Sequence, residues 1–171
     1  MMLINAVILS IRWLKENVRL NKVESRVDCH NLDGRQFIRD RLPAVLKGEK
    51  SSGNVLVLMN LPALAVEFLD AFRGVLDDCD DDEVCRVEPI AHVYTFVKDA
   101  DDDEAAKETV VAAVRERLFG GDSDGTALDV KVHYVRNVSF KKDMYRASFT
   151  VPESVMKLRG PSKKKRKLSA D

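Results

Sequence analysis

Val55-Leu56-Val57-Leu58-Met59-Asn60-Leu61-Pro62-Ala63 decides the reading of the fold. Its five apolar residues follow Ser51-Ser52-Gly53. A continuous run of this kind fits a parallel strand covered on both faces. The run stops at Asn60, and Pro62 is a residue that can open a helix. Over Pro62–Leu76 the positions Ala65, Phe68, Leu69, Phe72, Val75 and Leu76 follow the i, i+3, i+4 rule, with Glu67, Asp70 and Arg73 on the wet face.

The same alternation extends in both directions. Val27–Leu32, His92–Val97, Leu128–Val138 and Met144–Val151 read as further strands. In Leu128–Val138, the residues Leu128, Val130, Val132, Tyr134 and Arg136 share one face. Glu104–Phe119 is a second amphipathic helix, stopped by Gly120-Gly121. Ile11–Leu20 and Gln36–Leu46 carry weaker helical patterns. Alternating strands and helices predict an α/β fold with a mostly parallel sheet. Ser139–Asp143 is too short for a crossover helix, so the last two strands should form an antiparallel hairpin.

The chain has 171 residues, 45% hydrophobic and 33% charged, which suits one globular domain and its core. Formal net charge is zero but unevenly placed. Lys157–Lys167 holds seven basic residues and no acidic one, which leaves 21 basic against 27 acidic residues in positions 1–156. Such a body is a poor counterion for phosphate, so phosphate contacts should come from the tail or from another domain. Residues 154–171, with Lys163-Lys164-Lys165-Arg166-Lys167, read as a basic, disordered tail suited to nuclear import or phosphate binding. Cys29, Cys79 and Cys85 form no C-x-x-C pair and read as free thiols. No apolar run reaches the ~20 residues needed to span a bilayer. Met1–Ser10 is apolar but lacks the flanks of a signal peptide. The runs Asp77–Glu83 and Asp99–Glu104 and the stretch Asp122–Gly125 read as solvated loops, so no metal site is expected. His30, His92 and His133 read as packing residues.

Ligands of a doubly wound sheet bind at the carboxyl ends of its strands, which is where Asn60 falls. The plainer alternative is Asn60 as a helix cap with Pro62 in the first helical turn. The longer string favours the first reading. Asn60-Leu61-Pro62-Ala63 followed by Glu67-Phe68-Leu69-Asp70-Ala71-Phe72 resembles the N-L-P-A…E-F-L-D-A-F stretch of the archaeal and eukaryotic tRNA guanine-37 N1-methyltransferases. Trp13–Val23, Asn31–Ile38 with its Asp33-Gly34-Arg35, and Lys142–Tyr145 with Ser148-Phe149 and Pro152 are similar to further segments of that family, in the same order. The resemblance covers roughly residues 12–153 and leaves residues 1–11 unmatched.

The resemblance implies a class I, Rossmann-like methyltransferase fold, here incomplete, and S-adenosylmethionine as cofactor. It implies methyl transfer to N1 of guanine 37 in the tRNA anticodon loop. Asp33 and Gly34 would hold the cofactor's adenine, and Asn60 would lie where cofactor and target base meet. A carboxamide there can donate to and accept from a guanine edge. Other expected parts have no counterpart. No G-x-G loop occurs in the chain, and the acidic residue expected on the ribose falls near Asn5. A general-base Glu and an N-terminal tRNA-binding domain also find no match. The expectation is therefore the product of a truncated gene or a gene fragment, inactive as written. Its Val27–Leu32 strand should lack a neighbour, unless Met1–Leu14 fills part of the space. A related wybutosine-synthesis transferase, a non-catalytic remnant of the fold, and a nucleic-acid-binding protein working through its tail are the competing readings. A monomer acting on tRNA is expected, in the cytoplasm or nucleus, or in the mitochondrial matrix for the full-length family member.

Overall fold

The computed structural model describes residues 2–5, 8–47, 55–77, 88–121 and 127–158. The basic run Lys163–Lys167, the thiols Cys79 and Cys85, most of Asp77–Glu83 and all of Asp122–Gly125 lie outside them.

Among the described residues there are two sheets. In the first, β1 (Met2–Asn5) pairs in parallel with β2 (Asp28–Asn31), Asn5 level with Asn31. The amino-terminal apolar segment thus fills part of the space beside the Val27–Leu32 strand, as the sequence allowed, while no described strand bridges β2 and the Leu56–Met59 strand. The second sheet has four strands, β3 (Leu56–Met59), β4 (Ile90–Lys98), β5 (Lys131–Ser139) and β6 (Lys142–Thr150), in the order β3-β4-β6-β5. β3 and β4 are parallel, and β6 runs antiparallel to both β4 and β5. A mixed α/β fold closed by an antiparallel hairpin is what strand–helix alternation implied. The hairpin is tighter than its sequence suggested, since strand pairing runs to Ser139↔Lys142 and leaves only Phe140 and Lys141 in the turn.

The core lies on one face of the four-stranded sheet. Ala91, Val93 and Val97 of β4 and Tyr145, Ala147 and Phe149 of β6 alternate into it. Helix α3 (Asp103–Phe119) covers them with Ala106, Val110, Val114 and Leu118, spaced one turn apart. Its ends are well marked. Asp102 accepts from the Ala105 N–H at 2.8 Å, and Gly120 takes the left-handed conformation (φ 69°) that terminates the helix. The short α4 (Glu153–Met156) adds Val155 and Met156 to the same core.

The expected helix over Pro62–Leu76 takes a different form. Leu61–Ala65 forms a turn, Val66–Phe72 is a 3-10 helix, and turns follow to Asp77. Burial follows the tighter winding, because Ala71 is as deeply buried as Leu69 and Phe72. The winding stops because the next backbone donors have other acceptors: Gly74 N–H donates to the Val155 carbonyl and Leu76 N–H to that of Met156. A second difference concerns β3. Its continuous apolar run implied cover on both faces, yet Leu56 and Leu58 are 62% and 61% exposed. The described helices over this sheet pack on the opposite face, with Met59.

No strand hydrogen bond joins the two sheets among the described residues; helices do. α1 (Ile8–Leu20) and α2 (Gly34–Lys47) accompany β1 and β2. α2 then meets the 3-10 helix. A Cβ at Gly34 would lie 2.6 Å from Phe68 Cδ2, so only glycine allows that approach. The Arg35 guanidinium lies 4.8 Å from the centre of the Phe68 ring. Arg35 Nε donates to Asp70 at 2.8 and 3.1 Å, and Nη2 donates to the Glu67 carbonyl at 2.9 Å. Glu67 itself pairs with Arg117 of α3 at 2.8 Å. Glu67 and Asp70, read from sequence as solvated, therefore belong to an inter-helix clamp.

Gly34→Ala should destabilise the chain by about 1–3 kcal/mol, the usual cost of overpacking. A smaller side chain at position 68, Phe68→Leu, should recover part of that loss, and urea unfolding of the single and double variants measures it. A second expectation concerns alkaline pH. The Tyr145 phenol is pushed up to about 12, first by burial and then by its hydrogen bond to Asp103. The unfolded phenol titrates at about 10. The stability this provides is complete below pH ~10 and is lost as pH rises to ~12. Tyr145→Phe should flatten the stability profile in that window.

Candidate active site

β2 and β3 end in the two segments that the sequence singled out. After Asn31 and Leu32, Asp33 caps α2: its Oδ1 accepts from Arg35 N–H at 2.9 Å, and its carbonyl accepts from Phe37 N–H at 2.8 Å. Asp33 remains exposed. Capping therefore occupies one face of the carboxylate without burying it. Gly34 is buried and owes its identity to Phe68. This packing role explains the glycine without any ligand.

Asn60 directly follows β3 and is exposed. It does not cap the helix. The first turn is closed instead on the Leu61 carbonyl, which accepts from both Leu64 N–H and Ala65 N–H at 2.8 Å. The Asn60 carboxamide makes no hydrogen bond with the described residues. An amide that serves neither cap nor core, at the carboxyl end of a parallel strand, is free to bind a ligand.

The clamp of Arg35, Phe68 and Asp70 brings the two segments together. It holds the start of α2 against the 3-10 helix that Asn60-Leu61-Pro62-Ala63 introduces. Asp70 raises the Arg35 pKa through their hydrogen bond, while burial opposes it, so the guanidinium stays charged. Sequence reasoning gave these three residues no role. The signal was present in the Asp33-Gly34-Arg35 and Phe68-Leu69-Asp70 strings, but pairing across 35 positions leaves no periodicity to detect.

Asn5, where an acidic ribose ligand was expected, stands at the carboxyl end of β1, level with Asn31. Neither Asp33 nor Asn60 lines the open groove beside β4 and β6. That open groove of about 580 Å³, bounded by Glu88, Ile90, Phe119, Leu128, Lys131 and Phe149, lies toward the opposite end of β4. His92 donates or accepts across one bond with Ser148 at 2.9 Å, and His30 stacks at a tilt on Phe37, so both pack as expected. No metal-binding group of His, Cys, Asp and Glu occurs among the described residues, and no described helix is long and apolar enough to cross a membrane.

No family model matches the chain. Curated relatives do. The tRNA (guanine(37)-N(1))-methyltransferase of Danio rerio is 44% identical over 151 residues, which cover 86% of this chain and 29% of the relative. The protein of the same name from Xenopus tropicalis is 37% identical over 155 residues, again 86% and 29%. That of Ciona intestinalis is 53% identical over 73 residues, 43% of this chain and 15% of the relative. The chain thus spans about a third or less of the length of the curated relatives it matches. Among solved structures, M. jannaschii TYW2 in complex with AdoMet superimposes with a TM-score of 0.54 at 15% identity, covering 88% of this chain and 57% of that one. P. horikoshii TYW2 in complex with MeSAdo gives 0.52 at 16%, covering 87% and 47%. At such identities the likeness establishes the fold alone. By sequence, most of the chain is similar to one part of proteins named tRNA (guanine(37)-N(1))-methyltransferase, a part that makes up 29% of the Danio rerio and Xenopus tropicalis relatives.

Proposed function

We propose that this chain carries the adenine-side and target-base-side residues of an S-adenosylmethionine-dependent tRNA guanine-37 N1-methyltransferase. The observation that supports this most is the free, exposed Asn60 carboxamide at the end of β3, within the N-L-P-A string. Asp33 would accept from the adenine amino group with the part of its carboxylate that capping leaves exposed. The donor set fits that end of the cofactor. The ribose side is met by Asn5 at the strand position, and no G-x-G loop is present in the sequence to admit the methionine end. The cofactor, when bound, supplies the methyl group. Asn60 orients the guanine edge by donating and accepting at once. Removal of the N1 proton requires a base, and Asn60 cannot serve as one. The basic run Lys163–Lys167 supports a phosphate-binding or nuclear-import role.

The test uses two proteins. The 171-residue chain alone is expected to show no methyl transfer to unmodified tRNA. Residues 12–171 joined to the amino-terminal portion of the Danio rerio relative should be active. In that chimera Asn60→Ala should slow single-turnover transfer by about 100-fold or more, as loss of one transition-state hydrogen-bonding group does, with little change in tRNA affinity. An active chimera whose rate ignores Asn60→Ala would remove Asn60 from the site. A chimera that binds tRNA yet never methylates it would favour a non-catalytic remnant.

A further inference from the structure

The β5–β6 hairpin carries features that neither the core nor the candidate site uses. Phe140, at the turn, is 89% exposed, and Tyr134, held edge-on against Tyr145 at 5.7 Å, is 50% exposed. Val135 and Val138 are exposed as well, at the two places where β5 slips in register against β6. From Lys131 to Lys142 the sequence has four basic residues and no acidic one, in a body that is otherwise acidic. Arg136 and Lys131 form no ion pair with the described residues. Lys142 is drawn onto the Phe96 ring at 4.0 Å, and Lys141 lies beside Phe140 with its Nζ in a loose, exposed pair with Asp99 at 3.9 Å that a phosphate would have to displace.

A basic, bulged edge strand also protects against edge-to-edge pairing. That role accounts for the lysines and the bulges. It does not account for exposed aromatics, or for a turn written Phe140-Lys141 where Gly or Asn would be easier, since Lys141 sits at φ 53°.

The position of the turn is informative. Met59 is level with Val93, and β4 runs on to Lys98, which pairs with Lys142. At roughly 3.3 Å per residue the hairpin rises about 16 Å beyond the end of β3, on the edge where Asn60 stands. Two strand spacings sideways put the turn roughly 20 Å from Asn60. The acidic stretch after β4 lies on the inner side, where Asp99 N–H donates to the Lys141 carbonyl. Phosphate is therefore favoured along the outer edge, past Arg136 and Lys131.

We propose that this hairpin is a contact surface for unpaired RNA, with Phe140 stacking on a base and Arg136, Lys131 and Lys141 meeting phosphates. The proposal rests on the methyltransferase reading, because it places a second grip on the loop that delivers the target guanine. Aromatic stacking beside a basic track is how single strands are held without sequence-specific readout.

The test measures anisotropy of a labelled tRNA anticodon stem-loop, and of a fully paired RNA, with the 171-residue chain. Lys163→Ser, Lys164→Ser, Lys165→Ser, Arg166→Ser and Lys167→Ser are present throughout, so that the tail does not mask the hairpin. Phe140→Ala should weaken stem-loop binding about tenfold and leave paired RNA unaffected. Phe140→Trp should retain binding. Arg136→Glu with Lys141→Glu should weaken both RNAs and flatten the salt dependence. Equal stem-loop binding by Phe140→Ala, or no binding by the parent chain, overturns the proposal. So does self-association in sedimentation that Phe140→Ala abolishes, which would make the patch an interface between copies. Methyl transfer by the chimera reads Asn60 and the anisotropy reads Phe140, so the two proposals fail separately.

Discussion

The contact between Gly34 and Phe68 is the constraint on which the rest of this structure depends. Strand hydrogen bonds run within each sheet and never between them among the described residues. What relates β2 to β3 is therefore the approach of α2 to the 3-10 helix. That approach is set by a missing side chain at position 34 and secured by the two-pronged Arg35–Asp70 pair. The ion pair is half exposed, so its own contribution is small. Its value is directional: a planar guanidinium bonded to a carboxylate and lying over a ring admits few orientations. The candidate site inherits that precision, since Asp33 is one residue from the joint on one side and Asn60 introduces the helix on the other.

Much of this was legible in the sequence. The parallel β3–β4 pair, α3 with its Gly120 stop, and the closing hairpin all follow from local pattern, and each is present. The positions of Asp33 and Asn60 at strand ends were legible for the same reason, because a ligand edge is defined by where apolar runs stop. The resemblance to the tRNA guanine-37 N1-methyltransferases rested on strings of residues, and the curated relatives that the chain matches carry that name.

What escaped the sequence has physical causes. The 3-10 winding over Val66–Phe72 depends on acceptors in α4, about eighty positions away, that take the donors of Gly74 and Leu76. Apolar spacing cannot report such a loss. β1 was overlooked as a strand because four residues are too few to show a period, and pairing with β2 completes the assignment. The exposed Leu56 and Leu58 read as buried because an apolar run records what a strand prefers, not what covers it. The Arg35 clamp required knowing that α2 and the 3-10 helix meet.

The division into two sheets joined by side chains has a consequence for how the molecule breathes. β4 and β6 are paired residue for residue from Ile90↔Thr150 to Lys98↔Lys142, with α3 and α4 on the same core. Their amides open to solvent only when that whole unit comes apart. The amides of β1 and β2 are shielded by a single four-residue pairing. Hydrogen exchange should then divide the chain into a slow unit and a fast one, with the boundary running between Asp33 and Asn60. Under the proposed function, Asp33 and Asn60 meet one small molecule from opposite sides of this boundary, and that molecule would act as a fastener whose binding slows the exchange of the weaker unit.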